Sequence, residues 1–259
     1  MRIVFFGAST LGYRCCRQLL EMGQQVVGLF TIPRDFAISY SPGAPVRNVL
    51  HADFHALGET HGIPVVSCEG KMASYADQLA ALKPDLLVVI GWYYMIPSTL
   101  RALAASGCVG IHGSLLPRYR GGAPLVWAMI NGETETGVTL FHFADGVDDG
   151  DIGGQRAFEI GSHDTIATLL AKAEVASLEL VSEYIPLLAS GDAPRIPQDH
   201  TDATTVPQRS PADGQIDWSW DAARIDRFIR AQTHPYPGAF TMVGGKRVRI
   251  WAADVEDAA

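Results

Sequence analysis

Residues 85–112 read DLLVVIGWYYMIPSTLRALAASGCVGIH. A short apolar run (Asp85 to Ile90), a helix-like segment (Ser98 to Ala105) and a second short apolar run (Cys108 to His112) give the rhythm of strand, helix and strand. The same rhythm extends towards the amino end. RIVFFG (Arg2 to Gly7), QVVGLFT (Gln25 to Thr31) and IPVVS (Ile63 to Ser67) read as strands, and Ser9 to Met22, Val49 to His61 and Ala73 to Lys83 as helices. Such alternation predicts right-handed crossovers and a mostly parallel, doubly wound, Rossmann-like α/β sheet. Ligands of these sheets bind beyond the carboxyl ends of the strands, and His112 stands at one such end.

After Gly137 the pattern changes. VTLFHFA (Val138 to Ala144) and QRAFEI (Gln155 to Ile160) read as strands flanking the polar loop ADGVDDGDIGG, and Asp164 to Leu188 as one long helix. A stretch rich in Pro, Thr and Asp leads to QIDWS, a short amphipathic helix near Ala222 to Gln232, and a hairpin, AFTMVGGKRVRIWAADV, turning at Gly244 and Gly245. We expect a catalytic domain over 1–200 and a small carboxyl-terminal α+β subdomain over 201–259, too short for a large core of its own.

Composition narrows the function. With 47% hydrophobic and 19% charged residues the chain is globular, and its formal charge of −8 argues against nonspecific attraction to nucleic acid or an anionic membrane. No apolar run is long enough to span a bilayer, and the amino end enters a strand without a leader pattern, so a cytoplasmic location is expected. Cys15, Cys16, Cys68 and Cys108 form no metal or redox spacing. His51 and His55 lack a third ligand, so no metal is expected.

Two glycine motifs are weak. GASTLG (Gly7 to Gly12) follows the first strand, but Ser9 replaces the middle glycine of a dinucleotide loop and no acidic residue ends the second strand. GGK at Gly244 reads as a hairpin turn. His112 and Asp148 form the strongest pair: an imidazole oriented by a carboxylate is the minimum for relaying a proton.

The stretch IHGSLLPRYRGGAPLVWAMINGETETGVTLF (Ile111 to Phe141), then GVDDGDI (Gly146 to Ile152) and the tail PQRSPADGQIDWS…IRAQTHPYPGAF, resembles the N10-formyltetrahydrofolate-dependent formyltransferases. Within that family it is most similar to the members acting on methionyl-tRNA and on the amino sugar of lipid A. The resemblance implies the formyltransferase fold, formyl transfer to an amine, and a catalytic set of Asn-x-His with a downstream Asp. His112 and Asp148 match, whereas Gly110 stands at the Asn position. A backbone N–H or water, or a donor on the acceptor, could stand in for the missing amide; a silent folate or nucleotide-sugar binder is the other reading.

The resemblance also implies that N10-formyltetrahydrofolate is held by backbone groups at Tyr94, Met95 and Ile96 and at Phe143, Ala144, Asp145, Gly146 and Val147. Acceptor contacts are expected from Ser114, Arg118 and Arg120, with Tyr40, Trp92 and Tyr93 available to stack on a base or sugar. From 201 to 259 there are seven basic against eight acidic side chains, little surplus for binding phosphates. A small-molecule amine, best a nucleotide-linked 4-amino sugar, is therefore expected. Methionyl-tRNA is the runner-up, hydroxyornithine or another amino-acid amine stays open, and an oxidoreductase is a weaker third class. No nucleic-acid or membrane partner is expected, and a homodimer stays open.

Overall fold

The computed structural model describes residues 1–38 and 45–256. Its central sheet contains β1 (Arg2–Phe6), β2 (Gln25–Thr31), β3 (Val65–Ser67), β4 (Leu86–Val89), β5 (Cys108–His112), β6 (Glu135–His142) and β7 (Ile152–Glu159). The spatial order is β7-β6-β5-β4-β1-β2-β3. The strands from β3 across to β5 are parallel, and β6 joins β5 antiparallel. This is the mostly parallel, doubly wound sheet expected from the sequence.

The described residues divide into two compact units. The first comprises Met1–His112, Thr139–Gln155 and Ser177–Gln198. Its core is β1, β2 and β4, where Ile3 to Phe6, Leu29, Phe30 and Leu86 to Ile90 are almost wholly buried. Phe6 stacks on Phe30 with centroids 4.7 Å apart. Each such side chain contributes about 1.5–3 kcal/mol by leaving water. Continuous apolar strands are what a sheet covered on both faces requires.

The second unit comprises Gly113–Val138, Arg156–Ala176 and the residues from Asp199 onward. Ile216, Phe228, Ile229 and Ala239 form its core, with Ile130, Trp220, Ile225 and Ile250 packed against them. The tail thus shares a core with the helix Pro124–Ile130. The hairpin of β8 (Ala239–Val243) and β9 (Lys246–Ile250) pairs Val243 with Lys246. Gly244 and Gly245 have φ of 54° and 75°, the two positive values that a two-residue turn of this hand demands.

Helix starts differ from the periodicity where a cap intervenes. The segment expected from Val49 begins its helix only at Phe54, because the Asp53 side chain accepts from the Ala56 amide and fixes the first turn there; His51 lies ahead of it. The helix expected over Ser98 to Ala105 shortens to Ser98–Arg101, since the Leu103 and Ala104 amides bond three residues back and tighten the turn. Among the described residues no helix is long and apolar enough to cross a membrane.

In the first unit, one buried polar pair ties β6 to the long helix Ile166–Ser190. His142 Nε2 lies 2.8 Å from the Tyr184 hydroxyl, which donates to the Pro194 carbonyl at 2.6 Å. Gly153 makes room for this: a Cβ there would sit 2.4 Å from the Tyr184 ring. Burial, with Arg195 nearby, lowers the His142 pKa from 6.5 to about 4. The unfolded chain therefore binds a proton that the folded chain refuses, so this contribution to stability is full above pH 6.5 and is lost as pH falls towards 4. Thermal melts across that window should show a declining midpoint, and His142→Gln should flatten the slope.

Candidate active site

The site in the first unit is created by the register of two antiparallel strands. His112 pairs with Thr139 and Gly110 with Phe141, while Val109 faces His142. Strand β6 therefore ends opposite the start of β5, and the chain must travel back to reach His112. The 144–151 loop makes that return. Gly146 and Gly150 allow its close folding, since a Cβ would fall 2.0 Å from Asp149 Oδ2 at the first and 1.9 Å from the His142 carbonyl oxygen at the second. Asp148 takes a left-handed backbone conformation, φ 51°. Asp tolerates that region better than most non-glycine residues.

The result is a carboxylate beside an imidazole. Asp148 Oδ2 is 3.4 Å from His112 Nδ1, with side chains only 20% and 10% exposed. With Nδ1 turned to the carboxylate, the neutral ring carries its lone pair on Nε2, the arrangement of a positioned general base. The His112 and Phe141 rings stand nearly perpendicular with centroids 6.5 Å apart, and Phe143 stacks on Phe141 with centroids 5.1 Å apart. An apolar flank of this kind raises the strength of any charge interaction beside it.

Gly110 lies beneath that aromatic pair. A Cβ at Gly110 would come within 2.6 Å of both Phe143 Cε1 and the Val89 carbonyl oxygen. The space a side chain would need is filled by the Phe143 ring. The two asparagines are engaged elsewhere: Asn48 donates to the Ala8 carbonyl and accepts from the Leu50 amide and the Tyr93 hydroxyl, and Asn131 donates to the Tyr119 hydroxyl.

The loop that carries Asp148 is held from outside. Arg101 donates to the Ala144 carbonyl and the Asp145 carboxylate, and Gln198, 6% exposed, donates to the carbonyls of Asp148 and Gly150. Sequence reading passed over both, because a single Arg on a short helix and a Gln in a loop carry no periodic or motif signal. It also expected only backbone from Phe143, whose ring shapes the site. Ala144, Asp145, Gly146 and Val147 are exposed. Four buried side-chain polar atoms of the first unit have no hydrogen-bond partner: Thr31 Oγ1, Trp92 Nε1, Arg101 Nε and Asp149 Oδ1. The exposed loop backbone at Gly146 and Val147, close in the chain to the unpartnered Asp149 Oδ1, suits a flat polar heterocycle.

The aromatic run after β4 is largely committed. Trp92 packs edge-on against Phe6 and Tyr94, Tyr93 lies against Phe36, and the Tyr94 hydroxyl donates to the Ala37 carbonyl. Met95 is exposed and Ile96 buried. Tyr40 lies outside the described residues. In the second unit, Ser114 donates to the Arg118 carbonyl at 2.7 Å, Arg118 pairs with Glu133 at 2.8 Å, and buried Arg120 lies 3.1 Å from His200 Nδ1.

The GASTLG turn is closed to a pyrophosphate. The Thr10 amide donates to the Leu50 carbonyl, Ala8 to Gly91, and Gly12 to Ser9 Oγ. Gly12 is needed for packing, since a Cβ there would lie 2.3 Å from the Ile90 carbonyl oxygen.

A mostly parallel α/β sheet with a histidine at a strand end and a loop carboxylate beside it is the architecture of many α/β enzymes. Residues 1–185 match the formyl transferase family and residues 209–259 the formyl transferase carboxyl-terminal domain. The chain belongs to the formyl transferase family, folate-dependent enzymes of one-carbon transfer. It is 33% identical over 256 residues to a methionyl-tRNA formyltransferase of Geobacter sulfurreducens, covering 98% of this chain and 78% of that one. Its fold is similar to that of an N-formyltransferase from Helicobacter canadensis in complex with folinic acid and dTDP-3-aminofucose (TM-score 0.73, 16% identity, 95% and 85% coverage). HypX from Aquifex aeolicus in complex with tetrahydrofolic acid is also similar (TM-score 0.70, 21% identity); the match takes in 97% of this chain and only 37% of HypX.

Gly110→Asn alone should lower stability by about 1–3 kcal/mol through overpacking and should not raise activity. Denaturant titration checks this, and Phe143→Ala in the same chain should not restore native stability, because the Val89 carbonyl still crowds the new Cβ.

Proposed function

We propose that this chain moves a formyl group from N10-formyltetrahydrofolate to the primary amine of a small molecule, best a nucleotide-linked 4-amino sugar. The single observation that carries the transfer chemistry is the His112 Nδ1 to Asp148 Oδ2 approach of 3.4 Å in a chain of this family. The folate supplies a formyl carbon activated by its bond to N10. His112 Nε2 accepts the proton that the acceptor amine sheds as its nitrogen bonds that carbon, and returns it to the folate nitrogen that leaves. Asp148 keeps the ring oriented and balances its transient positive charge. Backbone groups of Tyr94 to Ile96 and of Phe143 to Val147 hold the folate, the proposed cosubstrate.

The residue at 110 contributes no side chain to polarise the formyl oxygen. Losing one such donor costs about 2.7–4 kcal/mol, roughly 10²–10³ in rate, so we expect a slow enzyme and not a dead one. The formal charge of −8 and the even balance of the tail support a small acceptor over a polyanion. A structural neighbour supports the nucleotide-sugar class, though with the amine at another ring position: the Helicobacter canadensis N-formyltransferase is in complex with dTDP-3-aminofucose, a 3-amino sugar. Methionyl-tRNA is the second reading, favoured by the 33% identity to the Geobacter sulfurreducens enzyme.

A formyl-transfer assay with nucleotide 4-amino sugars, hydroxyornithine and methionyl-tRNA separates these readings. Turnover with an amino sugar and not with the tRNA is the expected result; the reverse would move the acceptor to the second reading, and folate binding without turnover would leave a binder. His112→Ala and Asp148→Asn should each lower kcat by at least about 10²-fold with an unchanged circular dichroism spectrum. Near-native turnover by either variant would overturn the mechanism.

A further inference from the structure

We propose that Gln198 is a positioning residue for Asp148, acting through the backbone of the loop. The inference rests on the proton-relay reading of His112 and Asp148. Gln198 Nε2 donates to the Asp148 carbonyl at 2.9 Å and to the Gly150 carbonyl at 2.7 Å. One amide nitrogen thus spends both its protons on the two carbonyls that bracket Asp149. A non-glycine residue keeps a left-handed backbone only where its surroundings over-determine it. At Asp148 the clamp from Gln198 supplies that constraint.

The clamp has a fixed base. Ile152 and Ile196 exchange both backbone hydrogen bonds, at 2.8 and 2.9 Å, so the segment bearing Gln198 is stitched to the start of β7. The loop is tied at its ends as well, by the His142 amide on the Asp151 carbonyl at 2.8 Å and by Arg101 on Ala144 and Asp145. What remains adjustable is the middle, from Gly146 to Gly150, and Gln198 grips its far half. Asp148 Oδ2 is already 3.4 Å from His112 Nδ1, so a small drift of the loop separates the pair.

The test uses Gln198→Ala and Gln198→Glu, the second keeping the size while removing the donors. Each should lower kcat on the order of 10²-fold, the effect of a misplacement of about 1 Å, with the KM for the amine little changed. In an Asp148→Asn background the same substitutions should add almost nothing, because Gln198 acts through the carboxylate already removed. The ¹⁵N chemical shift of His112 Nδ1 in full-length protein gives a readout independent of turnover. It should move in both Gln198 variants towards its value in Asp148→Asn and move no further in the double variants. An unmoved His112 signal, or equal fold losses in both backgrounds, would overturn the role of Gln198. Absence of turnover by the native chain with every acceptor would instead sink the transfer reading, and the His112 signal would still decide Gln198.

Discussion

The site depends on one constraint, the antiparallel register that sets His112 opposite Thr139 and Val109 opposite His142. A parallel neighbour would have delivered its following loop directly to the carboxyl end of β5. The reversed strand delivers it to the other end, and every unusual feature of the 144–151 loop answers that displacement. Two glycines without room for a Cβ, a left-handed aspartate and two side-chain clamps bring the carboxylate back to the imidazole. The carboxylate–imidazole pair is therefore a property of the sheet edge as much as of the two residues that form it.

The same edge decides the polarity of the site. On an antiparallel pair, residues directly opposite share a face, so Gly110, His112, Phe141 and Thr139 lie on one side of the sheet. Phe143 follows Phe141 on that side and covers Gly110. An imidazole with a carboxylate at one nitrogen and aromatic rings beside it meets little competing water. In such surroundings the carboxylate's orienting effect is larger than it would be in solvent.

Much of the fold was legible in the sequence because its signals are local. QVVGLFT and CVGIH emerged as strands over the residues expected, and the Gly244–Gly245 turn announced its hairpin. Caps obscured the helix starts, as Asp53 did for the helix at Phe54. The pairing of His112 with Asp148 was also foreseeable, since both residue types lie in stretches that resemble a family. Arg101, Gln198 and the ring of Phe143 were not. Each works through a contact far along the chain, and neither spacing nor composition encodes such a contact. The grouping of residues 113–138 with the tail escaped for the same reason: Ile130 meets Ile216 and Phe228 only once the chain is folded.

The Phe143 ring over Gly110 also bears on how a chain like this one changes through descent. A polar side chain at 110 and a large ring at 143 exclude each other in this packing, whereas a glycine with a small residue at 143 would leave a void. Either replacement made first passes through a strained or hollow intermediate. On this backbone the two positions, with the Val89 carbonyl beside them, are coupled, so that a change at one is felt through what the other holds.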